Sequence, residues 1–476
     1  MAAPTTALED VSDQPYPRRW AAMIILVLGF MLDLLNVTIV NVAIPSIQGD
    51  LGASASQAGW IVTAYLLAFA VSLITAARLG DLWGRKRVFL LGLAAFALTA
   101  AWSGMAQSAG ELITARAAQG VAAAILAPQV MSSLYTLFHG RERATVLGLF
   151  GVVAGLAQAG GLLLGGLLIT ADIADLGWRS VFWISFPVAV ALLVLGLWLI
   201  PENHAPDALK PRWLPAAVLT FGLIAIVFPL LEGRAHDWAP WIWVVLVAGS
   251  AAVGLVAYGE HRDPDRRAGA LLPLGLLRER TSSVALIVQL VAFAAFSGFL
   301  LVFVLWLQDG QGYTALRAGV VTIAFSAGGL AMAAFVGRLT VRFGRFTVLA
   351  GCVVGAAGTL GVLVAANSAS TDINPWLLAP GLFAIGCGMN LVMPPLTTLF
   401  LSTVSPRYAG SASGIWTTSQ QFGAAIGVAS LSAVFFGIAA DGDYGSAFEV
   451  SAFAIVAALV ASAAGCLAFP SRSPSD

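Results

Sequence analysis

One carboxylate stands inside an otherwise oily stretch. Residues Trp20 to Pro45 are almost wholly apolar, and the stretch is long enough to cross a bilayer core as a helix. Asp33 lies near its middle. On helical geometry Asn36 is turned about 60° from it and Asn41 about 80° the other way, so one face is polar. A carboxylate at membrane depth is costly unless it faces a water-filled cavity or a partner. Asp33 therefore points to a proton-linked or substrate-linked role; the plainer alternative is a structural acid that pins a neighbouring helix. Arg116 is the one cation inside an apolar span. Its guanidinium keeps its proton and needs an acceptor. Asp33, Gln119 and backbone carbonyls of the first span are the candidates. A protonatable Asp33 near Arg116 makes a switch. Ionised, the acid pairs with the guanidinium; protonated, it releases it, and helix packing can change. The alternative is a permanent structural pair.

Composition excludes several other chemistries. The chain has 476 residues, 59% hydrophobic and 10% charged, with a mean hydropathy of +0.89. Soluble domains carry about 25% charged residues, so this is a membrane chain. A formal net charge of zero, with no basic stripe, suggests no nucleic-acid partner. Cys352, Cys387 and Cys466 fall in apolar spans without metal spacing and read as small buried hydrophobes. His139, His204, His236 and His261 lie in connecting loops far apart, so no metal centre is expected. No metalloprotease, serine–histidine or phosphate-loop motif supports an enzyme or direct use of ATP, and no cofactor is expected. The first apolar stretch is too long for a signal-peptide core and is expected to remain in the mature protein.

The elements that must carry these residues are long apolar helices. Fourteen spans are expected, at 20–44, 58–77, 88–108, 112–137, 144–170, 180–200, 213–231, 238–258, 284–307, 316–336, 347–367, 376–400, 411–437 and 449–469. With the N-terminus in the cytoplasm, twenty cationic residues fall inside and only Arg179, Arg234 and Arg317 outside. That bias places both termini in the cytoplasm. A repeat is visible as well. The loop from Arg78 to Arg87, with Asp81 and Gly84, is echoed by Gly337 to Arg345, with Arg342 and Gly344. Each loop sits between the second and third spans of a six-span set. The expected domains are residues 1–200, a six-helix bundle; 201–275, two inserted spans with a connector; and 276–476, a second six-helix bundle. The two bundles are parallel repeats about an axis along the membrane normal. The apolar segment Leu271 to Leu277 reads as an interfacial helix.

At these residues the chain resembles the major facilitator superfamily, and within it the fourteen-span drug:proton antiporter family. Span 1 has the acid–asparagine signature in Asp33, Thr38, Asn41 and Pro45. The loop 78–87 resembles the superfamily's cytoplasmic signature, with Ala77 where a glycine is usual. Span 4 carries the buried-arginine signature in Arg116, Gln119 and Gly120, followed by Pro128. The stretch Gly177 to Pro187, with Trp178, Arg179, Phe182 and Trp183, is typical of the family. Gly386, Gly388, Asn390, Pro394 and Pro395, then Gln420, Gln421 and Gly423, extend the likeness. Two departures stand out. The family's span 5 signature has a Gly-Pro step, whereas this chain has Gly160, Gly161, Gly165 and Gly166 without the proline. Gln420 replaces a usual arginine.

The resemblance implies an all-α major facilitator fold of 14 transmembrane helices, arranged 6 + 2 + 6, in a bacterial inner membrane. It implies a monomeric, proton-coupled exporter of lipophilic or cationic small molecules working by alternating access. Export of a lipid, peptide or endogenous metabolite, or a non-transporting sensor, are the alternatives. It also implies a cytoplasmic gate of Asp81, Gly84, Arg85, Arg87, Arg342 and Arg345, in which Asp81 latches the two halves when the cavity opens outward. Asp33 and Arg116 are the expected coupling pair, and Gly160, Gly161, Gly165 and Gly166 the expected helix-packing residues. The substrate cavity is expected between the halves. Its expected lining is Asn36, Asn41, Tyr65, Gln129, Gln289, Phe293, Phe296, Trp306, Asn390, Trp416 and Gln421. Its aromatic residues suit flat or cationic lipophilic compounds. Asp33 is the only acid near mid-depth, since Glu111, Asp309 and Glu449 lie near span ends; neutral or monovalent substrates are therefore favoured over dications.

Overall fold

A chain this apolar must satisfy its backbone hydrogen bonds within each segment, and the helix does so. A computed structural model describes residues 16–138, 140–202, 213–233, 236–262, 279–368, 374–402, 409–440 and 442–469, and no strand occurs among them. The first part of the chain forms α1 (Arg19–Leu51), α2 (Ala55–Trp83), α3 (Arg85–Met105), α4 (Ala109–Leu137) and α5 (Gly140–Ala171). Next come α6 (Ser180–Trp183), α7 (Ser185–Leu199), α8 (Trp213–Glu232) and α9 (Pro240–Arg262). The last part forms α10 (Arg280–Leu305), α11 (Ala315–Phe343), α12 (Arg345–Ser368), α13 (Pro375–Ser402), α14 (Ala409–Ala439) and α15 (Tyr444–Cys466). The segment Leu271 to Leu277, His139 and His204 lie outside the described residues.

The expected count of fourteen membrane helices is corrected. Among the described residues, 12 helical stretches are long and apolar enough to cross a membrane. The two that fall short are the expected spans 144–170 and 213–231. Within α5 the described apolar stretch is Gly160–Ala171, and within α8 it is Ala217–Leu230, each only 10–17 residues long. A hydrocarbon core asks for about 20 apolar residues. The all-α, multi-span architecture stands; the 6 + 2 + 6 count does not.

The two echoed loops share one backbone device. Gly84 joins α2 to α3 at φ 96°, and Gly344 joins α11 to α12 at φ 50°. A side chain at such positive φ is strained, so each loop places a glycine where the chain turns from one helix into the next. Packing between helices also relies on small residues, as expected where lipid gives no hydrophobic drive for association. Gly161 and Gly165 of α5 face Thr38 and Ile39 of α1. Gly166 faces the backbone of Ala315 in α11, where a Cβ would come within 2.7 Å of the Leu316 Cα. Gly319 of α11 in turn faces the Leu162 carbonyl. A Cβ at Gly160 would lie at an ordinary 3.9 Å from Leu35. Thus α5 is wedged between α1 and α11.

On the other side, α2 packs against α14, and α8 lies over both. Leu219, Leu223 and Val227 of α8 bury themselves with Leu67 of α2 and Ala429 of α14. Trp60 Nε1 of α2 also donates to Glu232 Oε1 of α8 at 3.0 Å. Helix α9 backs α8 and turns Trp241, Trp243, Val244 and Val247 outward, the apolar surface a lipid-facing helix needs.

Candidate functional site

Four helices bring buried polar side chains to one point. Asp33 of α1 is 2% exposed and Arg116 of α4 is 1% exposed. The Tyr65 hydroxyl of α2 donates to Asp33 Oδ1. Arg116 Nη1 donates to Gln119 Oε1 at 2.7 Å, and its Nε donates to the Ile61 carbonyl of α2 at 3.3 Å. Gln119 Nε2 passes the chain on to Asn36 Oδ1 at 3.1 Å. Asn36 Nδ2 donates to Ser185 Oγ of α7 at 2.8 Å and to the Leu32 carbonyl at 3.1 Å. The guanidinium carbon sits 4.2 Å from the Tyr65 ring centroid and 5.8 Å from that of Phe182. Cation–π contact and two acceptors thus hold a desolvated cation.

The geometry changes one expectation. Asp33 and Arg116 are neighbours in one network, yet they make no direct ion pair. The ion pairs among the described residues lie near helix ends: Arg19–Glu142, Asp81–Arg85, Arg87–Glu202 and Asp50–Arg179. The carbonyl that Arg116 uses comes from α2 rather than from the first span, because α4 runs closest to α2. Gly120 explains that closeness. A Cβ there would collide with the Tyr65 carbonyl oxygen and come within 3.0 Å of its carbonyl carbon. Gly120→Ala should therefore push α4 off α2 and destabilise the protein by about 1–3 kcal/mol. Thermal unfolding of the purified variant would show a lowered midpoint; an unchanged midpoint would contradict so tight an approach.

Tyr65 belongs to this network. Gln119 takes the acceptor place beside Arg116 for which it was a candidate, while Ser185 and Phe182 join the network although sequence reasoning assigned them no coupling role. Gln119 carried a signal, standing one helical turn from Arg116; Ser185 was one hydroxyl among many. Trp178 and Arg179 find a structural use at one end of the bundle. Arg179 Nη1 meets Asp50 Oδ2 at 2.5 Å, Trp178 Nε1 donates to the same oxygen at 2.9 Å, and Arg179 Nη2 donates to the Ala106 carbonyl at 3.1 Å. This ties the ends of α1 and α3 to the start of α6.

The proposed gate residues form two separate groups. Arg85 Nη2 meets Asp81 Oδ1 at 3.3 Å, and Arg85 Nη1 donates to the Ser132 carbonyl of α4 at 3.2 Å. Arg87 lies 3.6 Å from Glu202. At the other hairpin Arg345 Nη1 donates to the Phe469 carbonyl at 2.5 Å, and Arg342 is exposed beside Phe343. The two parts of the chain instead meet toward the Asp50 end. There Gln308 Nε2, just past α10, donates to the Val42 carbonyl of α1 at 3.0 Å, and α5 crosses α11 at Gly166. Farther along, Thr418 Oγ1 of α14 donates to the Ala70 carbonyl of α2 at 3.4 Å.

The residues expected in the cavity are dispersed. Gln129 ties α4 to the Ala76 carbonyl of α2 at 3.0 Å and covers Gly80. Phe296 packs on Gly355 of α12, and Trp306 stacks on Phe448 of α15 at 4.5 Å; both are core residues. Asn390 lies beside Gly329 of α11, while Phe293 and Gln421 are half-buried. Gln289 and Trp416 do come together, with Gln289 Nε2 donating to the Trp416 carbonyl at 3.2 Å. The Trp416 ring stacks on Phe400 at 5.1 Å. Gln289 Oε1 and Asn41 Oδ1 are buried acceptors without a partner. Such atoms ask for water or a ligand. Among the described residues no cluster of His, Cys, Asp or Glu has the makings of a metal site.

Comparison with known proteins agrees with this architecture. The Major Facilitator Superfamily pattern matches residues 26–217 and 214–428. The chain is 38% identical over 426 residues to a probable actinorhodin transporter of Streptomyces coelicolor, covering 89% of this chain and 74% of that one. It is 33% identical over 429 residues to a puromycin resistance protein of Streptomyces alboniger, covering 90% of this chain and 84% of that one. In structure it is similar to the nucleoside transporter NupG, with a TM-score of 0.67 at 14% identity, over 94% of this chain and 99% of that one; this likeness concerns the fold alone. The buried polar network therefore sits in a bacterial-type multi-pass membrane protein, and the chain belongs to the Major Facilitator Superfamily of membrane transporters.

Proposed function

We propose that this protein exports lipophilic, neutral or singly charged small molecules in exchange for protons, as a member of the drug:proton antiporter group. Relatives named for antibiotic transport or resistance support export of this class of compound. The observation that carries proton exchange is the buried Asp33, held by Tyr65 and near Arg116 without being locked to it. A permanent ion pair would be inert, whereas an acid whose only hydrogen-bond donor among the described residues is a phenol can gain and lose a proton as the helices move. Residues 1–200 and 276–476 act as two bodies with 201–275 between them. Their contacts near the Asp50 end, where Gln308 meets Val42 and Gly166 meets Ala315, support a conformation closed at that end. In the opposite conformation Asp81 leaves Arg85 and docks on the second body. Asn41, Gln289 and Trp416 face the substrate; the hairpins and both termini lie in the cytoplasm, and the protein works as a monomer.

Purified protein in liposomes, with an imposed proton gradient, tests the proposal using puromycin and actinorhodin as probes. Accumulation of either probe against its own gradient should follow the proton gradient and collapse when a protonophore is added. Probe movement at the same rate with and without the gradient would reject proton exchange while leaving transport itself in place.

A further inference from the structure

Tyr65 was expected to line the substrate cavity, but it stands between the acid and the cation. Its hydroxyl donates to Asp33 and the face of its ring lies 4.2 Å from the Arg116 guanidinium carbon. It is wholly buried, and Gly120 lets α4 press against its backbone. We infer that Tyr65 is a positioning residue for proton coupling: its ring keeps Arg116 from closing onto Asp33, and its hydroxyl reports the acid's protonation to the arginine. The inference rests on the proton-exchange reading of Asp33.

The chemistry follows from donor and acceptor roles. An ionised carboxylate only accepts, so it holds the phenol as a donor. When a proton binds to the carboxylate, the acid carries an O–H of its own and no longer requires that donor. The phenol then becomes the acceptor of the acid's O–H, and the ring face moves relative to the guanidinium. Arg116 holds Gln119, Gln119 holds Asn36, and Asn36 holds Ser185 of α7. A change at Tyr65 therefore reaches four helices through bonds that already exist. Without the ring, the guanidinium would fall onto the carboxylate as a buried ion pair, which is costly to break.

No other charge competes for this role. In α1, α2, α4, α6 and α7, the only charged residues away from the helix ends are Asp33 and Arg116. Of the other helices packed on α1, α5 has Arg141, Glu142 and Arg143 at its start. Helix α10 has Arg280 at its start, with Asp309 just beyond its end. Helix α11 has Arg317, Arg338 and Arg342 toward its two ends. Phe182 and Ser185, which complete the surroundings, do not titrate in this range.

Infrared difference spectra between acidic and alkaline pH test this on the full chain in lipid, without a transported probe. Wild type should show a carboxylic-acid carbonyl band that rises together with a change in a tyrosine ring mode. Asp33→Asn should lose both; a carbonyl band that survives this substitution would reject Asp33 as the titrating group, and with it the proton-exchange reading. Tyr65→Phe keeps the ring on Arg116 and removes only the hydroxyl. It should keep the carbonyl band, moved to higher wavenumber by loss of the phenol hydrogen bond, and lose the coupled tyrosine change. Tyr65→Leu removes the spacer as well, and the carbonyl band should vanish as Arg116 captures the acid. A Tyr65→Phe spectrum with an unmoved carbonyl band and an intact tyrosine change would overturn the inference while leaving Asp33 in its role.

Discussion

Asp33→Asn should fold and yet lose gradient-driven transport by about 5- to 150-fold, the span of a typical coupling free energy of roughly 1–3 kcal/mol. The amide is nearly isosteric with the acid, and its oxygen can still accept the Tyr65 hydroxyl. Packing around α1 is therefore preserved. What is lost is titration: the amide resembles the protonated acid in charge and has no proton to exchange. Coupling requires that proton affinity differ between conformations, and reciprocity then requires substrate to change proton affinity as well. A group that cannot titrate carries neither effect. Facilitated movement down a substrate gradient should survive better than accumulation against one. The measurements are thermal stability, probe binding and pH-driven transport on the same purified protein. A stable variant with undiminished gradient-driven transport would remove Asp33 from the mechanism. A variant that fails to fold would instead favour a structural acid.

Arg116→Met should be the more damaging change to the fold. It leaves Gln119 Oε1 and the Ile61 carbonyl without their donor, and it leaves Asp33 without a nearby cation. Breaking a buried charged arrangement by removing one member costs about 3–5 kcal/mol. Arg116→Lys keeps the charge but not the fork. A single ammonium cannot reproduce two divergent N–H bonds together with a flat contact on the Tyr65 ring. The lysine variant should recover much of the stability lost in Arg116→Met while transport stays well below wild type. Thermal midpoints and transport rates for the pair would separate the two effects. Full transport in Arg116→Lys would show that only the positive charge matters, and that the fork and the ring contact do not.

Much of this was legible in the residues because it is local. An apolar run long enough to span lipid, a lone acid at its middle and two asparagines on nearby faces are properties of one segment and its helical period. The matching hairpins around Gly84 and Gly344 are local too, since each turn needs a residue free to take positive φ. The number of membrane helices was less so. Apolar length is a continuous quantity, and the described apolar stretches within α5 and α8 run to only 10–17 residues. Partner choice was legible only within one helix, where Gln119 stands a turn from Arg116. A sequence says that Arg116 needs an acceptor, but not that α4 lies against α2 closely enough to offer the Ile61 carbonyl and the Tyr65 ring. That follows from backbones meeting at Gly120, a contact between residues far apart in the chain. The same reason explains why Phe296 and Trp306 are core residues while Gln289 meets Trp416: helix rotation about its own axis is set by neighbouring helices, and only the packed tertiary structure decides which face looks inward.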